Sequence, residues 1–193
     1  MIKKAILMVT ASIFLNIIVN SCCTEIDKEY VQLNGFSIEL FDRYDRLASP
    51  LQNGDTTYTD TVRIETDIQY DFIASAFCSS NSLYAITCPE WGENGLKFKI
   101  QNITLSSNET FQGILSNSNF NEFITCNYLH TRSDISLDSL KTILNNWTGG
   151  FLDHCAFYIN AKPDNPLPRK FKILFKLENN EAIEFETPEI VWI

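Results

Sequence analysis

An antiparallel β-sandwich crossed by one α-helix is the fold this sequence predicts, and three observations carry the prediction. The first is the alternation from Val62 to Phe77. Val62, Ile64, Thr66, Ile68, Tyr70, Phe72, Ala74 and Ala76 fall on one face, and Arg63, Glu65, Asp67, Gln69 and Asp71 fall on the other. A period of two puts one face on a core and the other in water, the signature of an antiparallel sheet. The second is a closing hairpin, in which Phe171, Ile173, Phe175 and Leu177 alternate with lysines and, after Glu178-Asn179-Asn180-Glu181, Ile183 and Phe185 alternate with glutamates. The third is a helical period confined to Ser136–Trp147. An immunoglobulin-like topology is one arrangement that this pattern admits.

Taken in order, Met1-Ile2-Lys3-Lys4 is a positive start, and Ala5 to Val19 is an apolar run broken by Thr10, Ser12 and Asn16. The run is short for a membrane span, which needs about 20 apolar residues, and it reads as a secretory signal. Val19-Asn20-Ser21-Cys22 resembles the lipobox of bacterial lipoproteins. That resemblance implies acylation of Cys22 and a chain held on the outer membrane by lipid. Residues 1–21 are then signal, 22–32 a polar tether, and 33–193 one sandwich domain. Glu25, Asp27 and Glu29, just after the lipidated cysteine, resemble the surface-export signal of Bacteroidetes lipoproteins and imply a domain facing outward.

Loss of Lys3 and Lys4 with the signal leaves 13 basic and 24 acidic residues, a formal net charge of −11. A chain this acidic is not drawn to nucleic acid or anionic lipid by long-range attraction. Solubility accounts for the acidity without a bound metal. Four cysteines remain in the domain: Cys78, Cys88, Cys126 and Cys155. In an exported chain an even count suggests disulfides, and four cysteines allow three pairings. Proximity favours Cys78–Cys88 and Cys126–Cys155. Cys126-x-x-x-His130 and His154-Cys155 contain the residue types of a zinc site. Adjacent His154 and Cys155 would point to opposite faces of a strand, however, so no metal site is expected.

Phe36-Ser37-Ile38-Glu39-Leu40 alternates as a half-buried strand. Asp42 to Thr61, rich in Asp, Gly, Pro and Thr, reads as a long loop, and its acids lack the spacing of a calcium loop. Gly95 to Leu105 reads as a strand whose phase changes near Asn102, which marks a bulge or a crossing between sheets. Ser136 is placed to cap the helix, Asp138 lies in its first turn, and Leu137, Leu140, Leu144 and Trp147 form its apolar stripe. Cys155, Phe157 and Ile159 share one strand face, Pro163–Pro168 is a turn-rich break, and Ile190–Ile193 closes the chain as a buried strand.

Tyr84-Ala85-Ile86-Thr87-Cys88-Pro89, the Lys97–Leu105 strand, the Ser136–Leu144 helix and the Phe171–Ile193 run resemble an uncharacterised family of lipoproteins from gut Bacteroidetes. The resemblance implies a lipid-anchored, mostly β domain and no particular reaction.

No nucleophile elbow, zinc-protease helix, P-loop or dinucleotide fingerprint is present. Glu65, Asp67 and Asp71 are explained by a wet strand face. No catalytic residue and no cofactor are therefore expected. Trp91, in a Pro/Gly loop, and Tyr58, in a polar one, are the candidate ligand contacts, because exposed rings on sandwich loops stack on sugars or anchor protein partners. The expected activity is non-catalytic binding of a glycan, a protein or another envelope component. An adhesin-like assembly subunit is the alternative, and a hydrolase or hydrolase accessory ranks last.

Overall fold

The computed structural model describes residues 30–42, 49–73, 92–128, 134–147 and 154–193. The expected lipid site Cys22, the cysteines Cys78 and Cys88, Trp91 and His130 all lie outside them.

The chain is mostly β and builds a sandwich, as its alternation predicts. One sheet has the order β1-β3-β6-β5, from β1 (Tyr30–Phe41), β3 (Val62–Ile73), β6 (His154–Ile159) and β5 (Ile124–Tyr128), every pair antiparallel. The facing sheet is β4 (Ile100–Ser107), β8 (Phe171–Leu177) and β9 (Ala182–Glu186), also antiparallel. Aromatic rings join the two sheets. Phe36 of β1 stacks on Phe175 of β8 at 4.5 Å and lies 5.0 Å from Phe185 of β9. Phe157 of β6 meets Phe175 edge-on at 6.4 Å. Such pairs add about 0.5–1.5 kcal/mol each beyond their area burial.

Two places break the period of two, and a bulge sits at each. Leu33 and Phe36 both face inward although they stand three positions apart, and the β1–β3 register shifts between Leu33 and Gly35. Ile100 and Ile103 do the same in β4, where the register with β8 shifts between Ile100 and Asn102. One extra residue restores the face that a three-residue step would otherwise invert. The second bulge is the one read from the phase change near Asn102. Just before it the chain also crosses between sheets: Val31 N–H donates to Gly95 O, and Lys97 N–H donates to Val31 O.

The helix α1 (Leu137–Asn145) has Ser136 as N-cap, its hydroxyl accepting from Ser139 N–H at 3.2 Å. Leu137, Leu140 and Leu144 are buried, and α1 packs on β4 and β5, closing that side of the sandwich.

Four sequence expectations need correction. Tyr30–Gln32, assigned to the tether, belong to β1, and Val31 is fully buried. The loop after Asp42 contains β2 (Thr56–Thr57), and the turn-rich break ends in β7 (Pro168–Arg169). Both pair with β10 (Ile190–Trp192) in a small third sheet, β2 in parallel and β7 antiparallel. Arg63, expected in water, is only 3% exposed: its guanidinium lies 4.7 Å from the Phe41 ring and its Nε 3.1 Å from Glu65.

Candidate functional site

The alternation of β3 places Arg63, Glu65 and Asp67 on the outer sheet face, and the register sets His154 of β6 opposite Asp67. His154 Nδ1 is 3.1 Å from Asp67 Oδ1, and its Nε2 is 3.8 Å from Glu65 Oε2. Ser37 of β1 donates to the other Asp67 oxygen at 3.4 Å. The Asp67 carboxylate thus lies between the Ser37 hydroxyl and the His154 ring. Together these residues form a row of polar side chains on the outer sheet face, buried at Arg63 and exposed at Asp67.

His154 and Cys155 do point to opposite faces. Cys155 is fully buried, with Thr66 Oγ1 2.9 Å from its Sγ and also donating to its carbonyl oxygen. The expected Cys126–Cys155 disulfide is not formed, and both side chains are free buried thiols. The register gives the reason: Cys126 faces Phe157 and Cys155 faces Tyr128, so the two cysteines are diagonal neighbours. Diagonal positions lie about 7–8 Å apart, whereas a disulfide wants Cα atoms within roughly 4.4–6.8 Å. Burial pushes the Cys155 thiol up to about 12, with Thr66 pulling the other way and Asp67 adding to the rise. Cys126 is pushed up further by burial, with Cys155 and Asp134 adding to it. Neither is a reactive nucleophile in the fold.

The more promising surface is one end of the sandwich, where the β1–β3, β4–β5 and β6–β8 connections meet the chain after β9. Four aromatic rings underlie it. Phe111 stacks on Phe120 at 4.7 Å, and Phe171 and Trp192 meet Phe111 edge-on or tilted at 6.1 and 6.3 Å. Trp192 Nε1 donates to Thr59 O at 2.7 Å. Side chains then tie the loops to one another. Lys162 Nζ donates to Tyr58 O at 3.0 Å and pairs with Asp60 at 3.3 Å, and Gln112 Nε2 donates to Lys162 O. Asp164 accepts from Gly113 N–H at 2.7 Å. Gln112 and Gly113 both have positive φ in a two-residue turn closed by paired bonds between Phe111 and Ile114. Fully buried Arg169 donates to Asn165 O at 2.7 Å and to Thr110 O at 3.4 Å; burial pulls its guanidinium below the ordinary range, against Glu109 and Asp164.

On this braced end sit four exposed apolar side chains: Tyr58 at 69%, Leu115 at 74%, Leu167 at 47% and Ile193 at 50%. Tyr58 was a candidate from the sequence. Leu115 and Leu167 were not, because neither lies in a period that shows which way it points, and Ile193, expected in the buried closing strand, lies past the end of β10 and is half exposed. The Phe111-Gln112-Gly113-Ile114 turn was the one local signal available.

No protein-family model matches the sequence, and no curated protein matches it. Among solved structures, a chain titled "BspA_C_mut" is similar over 83% of this chain and 46% of that one, with 9% identity and a TM-score of 0.31. This chain spans a little under half of that protein's length, and at that score the likeness carries no argument about fold or function.

Proposed function

We propose that this protein is a lipid-anchored envelope lipoprotein, acylated at Cys22 and held on the outer membrane, whose domain is a non-catalytic binding module. The supporting observation is the braced loop end with Tyr58, Leu115, Leu167 and Ile193 exposed on it. Loops fixed by side-chain bonds lose little freedom on binding, and apolar side chains displayed together at the end of a sandwich suit a partner surface. Three of the four are aliphatic, which fits a protein ligand better than the ring-stacking face of a sugar.

The test is binding of the full chain to arrays of envelope proteins, extracellular proteins and glycans, compared with a Tyr58→Ala/Leu167→Ser variant. At least a tenfold loss of affinity, with unfolding midpoints unchanged, is the expected outcome. Equal binding by both proteins would remove the loop end from the proposal. Intact mass of the wild type and of Cys22→Ala, taken from membranes, checks the anchor: a lipid-sized difference is expected.

The second reading is an assembly component that pairs through a sheet edge, and β1 favours it. β1 is an edge strand of the four-stranded sheet.

A further inference from the structure

Among the described residues the two large sheets have four edges, and three of them are guarded. On β4, Asn145 Oδ1 accepts from Ile100 N–H at 2.8 Å and its Nδ2 donates to Ile100 O at 2.9 Å. Asn121 does the same further along, accepting from Leu105 N–H and donating to Ile103 O, both at 2.9 Å. Beside β5, Ile135 exchanges two backbone bonds with Cys126. β9 carries Glu184 and Glu186, charges of the kind that deter edge pairing.

β1 is the remaining edge. Leu40 O accepts from Leu51 N–H, away from β3, and Val31 turns its N–H outward to Gly95 O and its C=O outward to Lys97 N–H. Counting back from Leu40 by the antiparallel alternation, Ile38 and Phe36 also turn N–H and C=O outward. Among the described residues no other strand pairs with this edge. The stretch Gly35–Leu40 contains no Pro and no Lys, and Glu39 is its single charge, where β9 has two. Phe36 and Ile38 are only half-buried, with Phe185 of β9 against Phe36. The occupant that this edge can hold is an extended strand.

We propose that the strand is β1 of a second copy, paired antiparallel about a two-fold axis at Ser37. In that register Phe36 lies opposite the partner's Ile38, and each outward N–H meets an outward C=O, making four backbone bonds. Ser37 meets the partner's Ser37, and Glu39 meets the partner's Gly35, so no like charges lie directly opposite one another. Apolar side chains stay on the core face of both copies, and the two four-stranded sheets become one. The bulge at Asn34 ends the pairing on one side and the Leu40–Leu51 bond ends it on the other. An isologous contact of this kind closes as a dimer and does not propagate. The proposal rests on the assembly reading and is independent of the loop end.

The test uses the full chain in density-matched detergent. Sedimentation should give a concentration-dependent dimer, and Ser37→Lys, which sets two ammonium groups face to face at the axis, should raise its Kd at least tenfold. Ser37→Cys should cross-link on mild oxidation well above wild type. Gln69→Cys, exposed on the same face but one strand away, should not. A monomer at every concentration, or equal cross-linking at both positions, overturns the proposal. Amide exchange at Phe36 and Ile38 then separates the two failures. Fast exchange in a monomer leaves an open edge for another protein's strand. Slow exchange in a monomer shows an edge closed by the chain itself and ends the assembly reading too.

Discussion

Cys126 and Cys155 give the folded chain a specific response to alkali. Both thiols titrate higher when folded than when unfolded, so the unfolded chain releases its protons first as pH rises. Their stabilising contribution is complete below about pH 9 and is lost as pH climbs toward about 12. Urea midpoints should therefore fall more steeply above pH 9 for the wild type than for a Cys126→Ala/Cys155→Ala variant. In native protein both thiols should resist a disulfide reagent and react after denaturation; rapid native reaction would contradict their burial. Gly95 is a second residue with one clear test. Its φ is +72°, and a Cβ there would run into the Trp147 carbonyl beyond the end of α1. Gly95→Ala should cost about 2 kcal/mol or more, read from the urea midpoint.

At the scale of elements, asparagine amides do work that the sequence hid. Asn102-Ile103-Thr104, Asn108-Glu109-Thr110 and Asn146-Trp147-Thr148 look like glycosylation sequons in an Asn-rich chain. In the fold, Asn108 accepts from Lys170 N–H at 2.7 Å, and Asn121 and Asn145 seal the edge of β4. Replacing Asn121 or Asn145 by Leu leaves strand N–H and C=O groups without their partner, and each change should destabilise by about 1–3 kcal/mol. The two sit at separate points along β4, so the double variant should lose close to the sum. Denaturant unfolding of the two single variants and the double measures this. The β8–β9 hairpin was legible in advance: Lys172 reaches Glu184 at 3.5 Å and Glu186 at 3.7 Å across the ladder. Alternation and charge sign are local properties, and a hairpin is a local structure.

At the scale of the whole molecule, Trp192 joins three distant stretches of the chain. It is fully buried, its ring packs on Phe111 and Phe171, and its strand holds β2 on one side and β7 on the other. Trp192→Ala should cost about 3–5 kcal/mol by opening a cavity in the aromatic nest. The loss should be accompanied by faster amide exchange at Val191 and Ile193, which donate to Asp55 O and Thr57 O. Unchanged exchange there would mean that the third sheet stands without its central ring. Because Trp192 also holds the loop that carries Tyr58 through Thr59 O, the variant should also weaken any ligand bound at the loop end.

By itself the sequence determined the β character, the position and cap of α1, the buried faces of β3 and β6, the bulge in β4 and the closing hairpin. Each is written in a period or a phase change among near neighbours, and burial of apolar surface enforces it. Only the tertiary structure decided that Cys126 and Cys155 sit diagonally, that Arg63 and Arg169 are buried, that Thr56–Thr57 pair with Val191–Trp192, and that β1 is an edge. These depend on which strands become neighbours and in what register, a choice made by contacts between residues far apart in the chain, where no local pattern records it.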